Sequence, residues 1–149
     1  MSELISGKAI SATINEELRK EVEQLKTKGI EPGLAVVLVG EDPASEVYVR
    51  NKKRTCGEIG IRSIGHDLSA STTQEELENL VNRLNEDPEV HGILCQFPLP
   101  KSLDETRVIL TISPDKDVDG LHPLNAGLIA MGQPKFISCT PYGVLQMLK

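Results

Sequence analysis

Two side chains that could transfer protons lie one helical turn apart, about a third of the way along the chain. Tyr48 and Lys52 are four residues apart, in a segment whose pattern predicts a helix. That spacing puts both on one helix face, which Asn51 and Thr55 share. A lysine beside a tyrosine can act as a general acid or base when burial brings its pKa towards neutrality. The alternative is an exposed helix with an ordinary solvated lysine, and spacing alone favours that alternative.

A glutamine closes the third apolar strand that the pattern predicts. Gln96 precedes Phe97-Pro98-Leu99-Pro100, and the prolines end the strand because proline cannot continue a ladder. A polar side chain in this position faces the edge of a parallel sheet where ligands bind. The neutral amide could orient Lys52 without adding the negative charge of a carboxylate. An ordinary polar strand end is the alternative interpretation.

An acidic loop resembles half of a calcium-binding motif. Asp115-Lys116-Asp117-Val118-Asp119-Gly120 has acids at positions one, three and five and glycine at six. The twelfth position is Ala126, where a bidentate glutamate is required, and Pro123 interrupts the loop. We therefore expect no calcium site. One aspartate could instead accept two parallel N–H bonds from an amino-pyrimidine edge.

The periodicity of the chain predicts an α/β domain of three layers, with a mostly parallel sheet between helices. Strand, helix, strand, helix, strand is the order that right-handed crossovers require. Three segments then follow strand ends, and we expect the site there: 40–52, 96–100 and 114–123. The predicted helices cover 11–28, 45–59 with Ser45 as N-cap, a segment opened by the capping box 73–76, 103–111, and a last segment from Thr140-Pro141; the predicted strands cover 34–39, 62–68 and 90–96.

Composition and charge exclude several classes of protein. The 149 residues suffice for one domain, and no stretch is apolar enough to span a bilayer. The first residues, Met1-Ser2-Glu3-Leu4, lack the basic and apolar regions of a signal peptide. A net charge of −6 disfavours binding to nucleic acid. The scattered cysteines Cys56, Cys95 and Cys139 indicate reduced, buried thiols in a cytoplasmic protein.

Several motifs, in order, resemble one family. It is the bifunctional methylenetetrahydrofolate dehydrogenase/methenyltetrahydrofolate cyclohydrolase, called FolD in bacteria, and the resemblance covers about 7–149. Phe97 replaces a leucine usual in the family, and Ser138 replaces a proline. The motifs are Tyr48-Val49-Arg50-Asn51-Lys52, Gln96-Phe97-Pro98-Leu99-Pro100, Pro114-Asp115-Lys116-Asp117-Val118-Asp119-Gly120-Leu121, Asn125-Ala126-Gly127 and Cys139-Thr140-Pro141-Tyr142-Gly143.

The resemblance implies a role for each candidate residue. Lys52 would transfer protons in the cyclohydrolase step, Tyr48 would stack on a tetrahydrofolate derivative, and Gln96 would position Lys52. Asp119 would bind the pterin edge. The resemblance also implies a cytoplasmic homodimer that uses NADP and supplies one-carbon units for purine, methionine and histidine synthesis and for formylated initiator tRNA. Further implied substrate-binding residues are Ser45, Pro98 and Leu99.

The family also has a second, Rossmann-type domain that binds the dinucleotide through a glycine-rich loop. Residues 1–149 contain no such loop. There is no GxGxxG, and Gly57-Glu58-Ile59-Gly60 has the wrong spacing. We therefore expect 1–149 to form the folate-binding catalytic domain alone, with its last helix leading towards a missing Rossmann domain. We also expect this chain by itself to lack dehydrogenase activity. The alternatives are a non-catalytic folate-binding or dimerisation fragment, and a short-chain dehydrogenase using Tyr48 and Lys52.

Overall fold

A short parallel sheet organises the molecule. The computed structural model describes residues 5–149, so the prediction that Met1–Leu4 contain no signal peptide lies outside the described residues. Within residues 5–149 there are six helices and three strands. The elements are α1 (Gly7–Thr27), β1 (Gly33–Val39), α2 (Pro43–Ile59), β2 (Arg62–Leu68), α3 (Gln74–Glu86), β3 (Gly92–Cys95), α4 (Glu105–Thr111), α5 (Pro123–Ala130) and α6 (Cys139–Leu148).

The strand order is β2-β1-β3, and both pairings are parallel, as predicted. The chain moves from β1 outwards to β2 and then returns across β1 to reach β3. With right-handed crossovers, this reversal places α2 and α3 on opposite faces of the sheet. The prediction of a three-layer α/β domain is confirmed.

The central strand β1 is buried on both faces, which explains its unbroken apolar sequence. Ala35, Val37 and Val39 pack in a large core with α3 and α4. Val36 and Leu38 point the other way and pack with Val49 of α2 in a smaller cluster. Alternate residues of one strand therefore serve two different layers.

The helix boundaries follow from capping residues. The predicted capping box of α3 is confirmed: Thr73 accepts from the Glu76 amide and the Glu76 side chain accepts from the Thr73 amide. The prediction that Ser45 caps α2 was wrong, because Asp42 fills that position and accepts from the Ser45 amide at 2.7 Å. The helix therefore starts earlier, with Pro43 in its first turn.

Other boundaries differ by a few residues. Helix α1 begins at Gly7 rather than at 11, since Ser6 caps it. Strand β3 is shorter than the predicted 90–96, and α4 begins after its cap Asp104 rather than at 103. Helix α6 begins at Cys139, which makes Pro141 its third residue instead of its first. Helix α5 was not predicted, because its apolar residues show no clear periodicity.

In the part of the chain from residue 5 onwards, no helix combines the length and the apolar character needed to cross a bilayer.

Candidate active site

The candidate site lies where the chain changes direction in the sheet. In an open parallel sheet of order 2-1-3, the crevice between the carboxyl ends of β1 and β3 is the topological switch point, where α/β proteins bind ligands. Helix α2 starts beside this crevice, and Gln96 follows β3 directly. The loop after α4 runs alongside β3, where Ile93 and Asp117 form an isolated parallel bridge. All three segments that the sequence singled out therefore adjoin the crevice.

Lys52 and Gln96 are in direct contact. The Lys52 Nζ donates to Gln96 Oε1 at 3.1 Å, between side chains 44 positions apart. The other end of the amide is also held, because Gln96 Nε2 donates to the carbonyl of Phe97 at 2.8 Å. The amide orientation is thus fixed with its oxygen towards the lysine. Gln96 thus contacts the Lys52 amine without adding a negative charge, and its role in orienting that amine stays a prediction.

Tyr48 stands at the mouth of an apolar cleft of about 580 Å³. Its side chain is 62% exposed, which leaves the ring free to contact a flat ligand. Lys52 and Asp119 line the same cleft. The remaining lining residues are mostly apolar and come from α2 and the residue before β2, from β1 and β3 and the residues just before them, from Val118 and from the start of α6. They are Pro32, Gly33, Leu34, Asn51, Thr55, Cys56, Ile61, His91, Gly92, Leu94, Val118 and Cys139.

A smaller cavity of about 220 Å³ brings the three predicted segments together. Lys52 of α2, Gln96 after β3 and Asp119 of the acidic loop line it jointly. The beginning of α6 closes one side, and Leu121 flanks the opening. The other lining residues are Cys95, Phe97, Ser138, Cys139 and Thr140.

Asp119 is a half-buried carboxylate with few partners. Among the described residues, its one hydrogen-bond donor is the thiol of Cys139, at 3.8 Å. Burial raises the pKa of the Asp119 carboxyl; the positive charge of Lys52 opposes this shift and the negative charge of Asp117 adds to it. A carboxylate so placed keeps most of its acceptor capacity for a ligand that carries N–H groups.

Cys139 corrects the prediction that all three cysteines are buried. Cys56 and Cys95 are buried, but Cys139 is exposed and its thiol also contacts the Val118 carbonyl at 3.7 Å. The one sign of this exposure in the sequence is the position of Cys139 at the start of a predicted helix. That end of the helix borders the cleft in the folded chain. Burial raises the pKa of the Cys95 thiol to about 12, with the charge of Asp119 as a second cause.

Three of the predicted substrate-binding residues lie outside the lining of both cavities. Ser45 is buried at the start of α2, with 2% of its surface exposed. Leu99 packs in the core beneath α3 and α4. Pro98 is exposed beyond the end of β3, after a cis peptide bond that follows Phe97. Their roles in binding stay predictions.

The acidic loop does not gather its three carboxylates around one point. Asp115 is exposed and pairs with Lys135, while Asp119 lines the cleft. Asp117 is buried and accepts hydrogen bonds from Leu121, His122 and Asn125. Each aspartate thus serves a different purpose, and the sequence showed no sign of the role of Asp117 or of Asn125.

The three helices that follow strands do not offer a binding site for a dinucleotide. Its pyrophosphate needs a helix N-terminus with free amides, reached through a glycine-rich turn after a strand. The helices that follow the three strands are capped instead by their own side chains, and each has an acid in its first turn: Glu46 in α2, Glu75 and Glu76 in α3, and Glu105 in α4. Negative charge at these positions would repel a pyrophosphate.

Comparison with known proteins shows the family to which the chain belongs. Residues 5–119 match the family model "Tetrahydrofolate dehydrogenase/cyclohydrolase, catalytic domain". The chain is 57% identical over 150 residues to "Bifunctional protein FolD" of Magnetococcus marinus, covering 100% of this chain and 53% of that protein. It is also 57% identical to "Bifunctional protein FolD 2" of Geobacter metallireducens, covering 100% and 52%.

Solved structures give the same result. The bifunctional enzyme FolD of Campylobacter jejuni superposes with a TM-score of 0.96 at 48% identity, over 98% of this chain and 52% of that one. The Trypanosoma brucei FolD, solved with NADP cofactor and inhibitor, superposes with a TM-score of 0.95 at 36% identity, over 99% and 51%. The chain thus spans about half the length of the relatives that it matches. It belongs to the family of tetrahydrofolate dehydrogenase/cyclohydrolase catalytic domains.

Proposed function

We propose that this chain is the folate-binding catalytic half of a bifunctional methylenetetrahydrofolate dehydrogenase/methenyltetrahydrofolate cyclohydrolase. The observation that carries the proposal is the meeting of Lys52, Gln96 and Asp119, from three separate segments, around one cavity. Family membership and the match to FolD enzymes support it. The substrates are tetrahydrofolate derivatives that carry a one-carbon group.

In the cyclohydrolase step, Lys52 is the proton-transfer group. Water adds to the methenyl carbon of 5,10-methenyltetrahydrofolate, and the lysine amine accepts a proton from that water. The bond from the carbon to N5 then breaks, N5 receives one proton, another is released to solvent, and 10-formyltetrahydrofolate results. The contact with Gln96 Oε1 at 3.1 Å supports the role of Gln96 in holding the amine.

The other residues bind and orient the folate. Asp119 would accept two N–H bonds from the amino-pyrimidine edge of the pterin, because a thiol is its only hydrogen-bond donor among residues 5–149. Tyr48 would stack on the aromatic part of the substrate at the mouth of the cleft. Ser45, Pro98 and Leu99 are proposed to support the folate site from behind, as the family resemblance implies.

In the dehydrogenase step, NADP would accept a hydride from 5,10-methylenetetrahydrofolate. Because the helix N-termini described above do not fit a dinucleotide, we propose that residues of a second, Rossmann-type domain hold it. The chain described here would then present the folate but would not oxidise it unaided. The NADP found in the Trypanosoma brucei relative, whose chain is about twice as long, supports this division.

We further propose that the enzyme acts in the cytoplasm as a homodimer and supplies one-carbon units for purine, methionine and histidine synthesis and for formylated initiator tRNA. Three unbridged cysteines are typical of a reducing compartment. The net charge of −6 argues against nucleic acid as a partner.

The test is the decay of the absorbance of 5,10-methenyltetrahydrofolate with the purified chain and no nucleotide. We expect the chain to accelerate the decay and Lys52→Met to lower the accelerated rate by about 10²–10⁴-fold, the usual contribution of general acid–base catalysis. Lys53→Met is the matched control. The Lys53 amine pairs with Asp67 at 3.4 Å, and Lys53 lines neither cavity of the site. The variant should therefore keep the rate.

Binding provides a second measurement that does not depend on turnover. Calorimetry with 5-formyltetrahydrofolate, a stable reduced folate, should show stoichiometric binding that Asp119→Asn weakens. A folded chain with neither Lys52-dependent decay nor binding of the reduced folate would contradict the proposal. Binding without decay would favour the non-catalytic folate-binding fragment.

A further inference from the structure

A buried carboxylate and a buried amide lie directly behind the turn that carries Asp119. Asp117 is 2% exposed and Asn125 is 0% exposed. The Asn125 Nδ2 donates to Asp117 Oδ2 at 2.9 Å and to the Pro114 carbonyl at 3.0 Å. One amide therefore joins the start of α5 to the beginning of the acidic loop.

The carboxylate of Asp117 holds the far side of the same turn. Its Oδ1 accepts from the Leu121 amide at 3.3 Å, and its Oδ2 accepts from the His122 amide at 2.9 Å. With the bond from Asn125, three N–H donors surround this charge, and none of them is a cation. Buried charges are tolerated when they are hydrogen-bonded, and removing a partner is costly.

The turn is also fixed at both of its ends. Before it, the Lys116 carbonyl accepts from the Ile93 amide of β3 at 2.7 Å. Within it, Gly120 has a φ of +66°, and a Cβ there would lie 2.9 Å from the Ser138 amide nitrogen. Asp119 therefore lies between the hydrogen bond that joins Lys116 to β3 and the close contact of Gly120 with the backbone of Ser138. These two contacts leave its carboxylate little freedom to move.

We propose that Asp117 and Asn125 are positioning residues: together they form a buried strut that holds the Asp119 carboxylate in the cleft at the angle that pterin recognition needs. This inference rests on the proposed function, because it assigns to Asp119 the task of binding the pterin edge. Neither strut residue touches the folate, and both act through Asp119.

Asp117 acts on Asp119 through its charge as well as through the turn. The groups that face Asp119 are Lys52 from α2, Cys95 from β3, Asp117 from its own turn and Cys139 from α6. Removing the negative charge of Asp117 should lower the pKa of Asp119, whereas removing the positive charge of Lys52 should raise it. A residue whose charge does not reach Asp119 would leave that pKa unchanged when it is substituted.

The first test measures the pKa of Asp119 through the carbon-13 resonance of its side-chain carboxyl. Asp117→Asn should lower that pKa and Lys52→Met should raise it. Asp115→Asn is the matched control: it removes the same charge two positions before Asp117, but from an exposed side chain that pairs with Lys135. An Asp119 pKa that Asp117→Asn leaves unchanged, or shifts as little as Asp115→Asn does, would overturn the electrostatic part of the inference.

The second test measures binding of 5-formyltetrahydrofolate by calorimetry. Asn125→Ala should weaken binding about tenfold or more, with Asp115→Asn binding as the unsubstituted chain does. Thermal melting of each variant checks that it is folded. Asn125→Ser, which keeps a small polar group, provides a milder variant and should weaken binding less.

The outcomes separate this inference from the proposed function. If the unsubstituted chain fails to bind the reduced folate, the proposed function is contradicted, while the carboxyl titration still decides whether Asp117 acts on Asp119. If the unsubstituted chain binds and folded Asn125 variants bind equally well, the function stands and the positioning role of the strut is refuted.

Discussion

The two faces of the sheet differ in how completely they are covered. On one face, α3 and α4 bury a continuous core around Ala35, Val37 and Val39 of β1. On the other, α2 covers Val36 and Leu38 through Val49, while Leu34 and Val118 stay only partly buried. The same strand is thus fully packed on one side and partly open on the other.

The open face is the one that carries the proposed site. The apolar cleft lined by Leu34, Leu94 and Val118 leads to Lys52 and Asp119. The α3–α4 side buries the larger core and so contributes more of the stability. The difference teaches that this domain concentrates its stabilising contacts on the α3–α4 side and leaves the α2 side free to bind.

Truncating a leucine on each face gives the largest expected difference in stability. Leu77 of α3 is 0% exposed in the packed core. Leu77→Ala should lower the free energy of unfolding by about 2–5 kcal/mol, the usual cost of such a cavity. Leu34→Ala should cost about 1 kcal/mol or less, since its side chain is already partly exposed to the cleft. Urea denaturation measures both.

Folate affinity should show the reverse order. Leu34→Ala removes apolar surface from the cleft and should weaken binding of 5-formyltetrahydrofolate. Leu77→Ala, measured at a temperature where it is folded, should leave that affinity close to its original value. If Leu34→Ala cost as much stability as Leu77→Ala, the two faces would be equally packed and the comparison would fail.

The ionised carboxylate of Asp119 should lower the stability of the fold, although we propose that it is needed for binding. Its pKa is raised in the folded chain, chiefly by burial. A carboxyl with a raised folded pKa stabilises the fold while protonated, and this contribution is lost as pH rises through the folded pKa. At neutral pH, Asp119→Asn should therefore raise the melting temperature, because the neutral amide does not carry the desolvation cost of the carboxylate.

The sign of that effect depends on pH. Below the pKa of aspartate in the unfolded chain, residue 119 is neutral in the unsubstituted chain as well as in Asp119→Asn. The higher melting temperature of Asp119→Asn should therefore disappear in acid. Scanning calorimetry at neutral and acid pH measures it. A lower melting temperature for Asp119→Asn at neutral pH would mean that the carboxylate stabilises the open face.

The cysteines provide the smallest effect, a difference in labelling that leaves the fold unchanged. Cys139 is exposed beside the cleft, whereas Cys56 and Cys95 are buried. Burial raises the pKa of all three thiols, so the difference in labelling rests on access to the reagent. N-ethylmaleimide at mildly alkaline pH should therefore add first to Cys139, as mass spectrometry of the peptides would show. Adding 5-formyltetrahydrofolate should slow that reaction. First labelling at Cys95 would show that the packed core opens more readily than the cleft.

Much of the fold follows from local sequence patterns. The unbroken apolar run of β1 predicts a strand buried on both faces, and the capping box at Thr73 predicts the start of α3. Both predictions are confirmed. The capping box depends on hydrogen bonds within a few residues, and an unbroken apolar run is typical of a strand that is covered on both faces. The cap of α2 was predicted wrongly, since Asp42 and Ser45 are both good caps and only the path of the chain after Gly40 selects between them.

The site divides in the same way. The sequence by itself determined which residue types could act: a lysine and a tyrosine one turn apart, a glutamine at a strand end and an aspartate in an acidic loop. Only the tertiary structure decided that Lys52 touches Gln96, that Cys139 borders the cleft and that Asn125 supports Asp117. These contacts join residues that lie 8 to 44 positions apart. Spacing along one helix or strand cannot specify them, because they form only when the sheet and its crossovers bring separate segments to one edge.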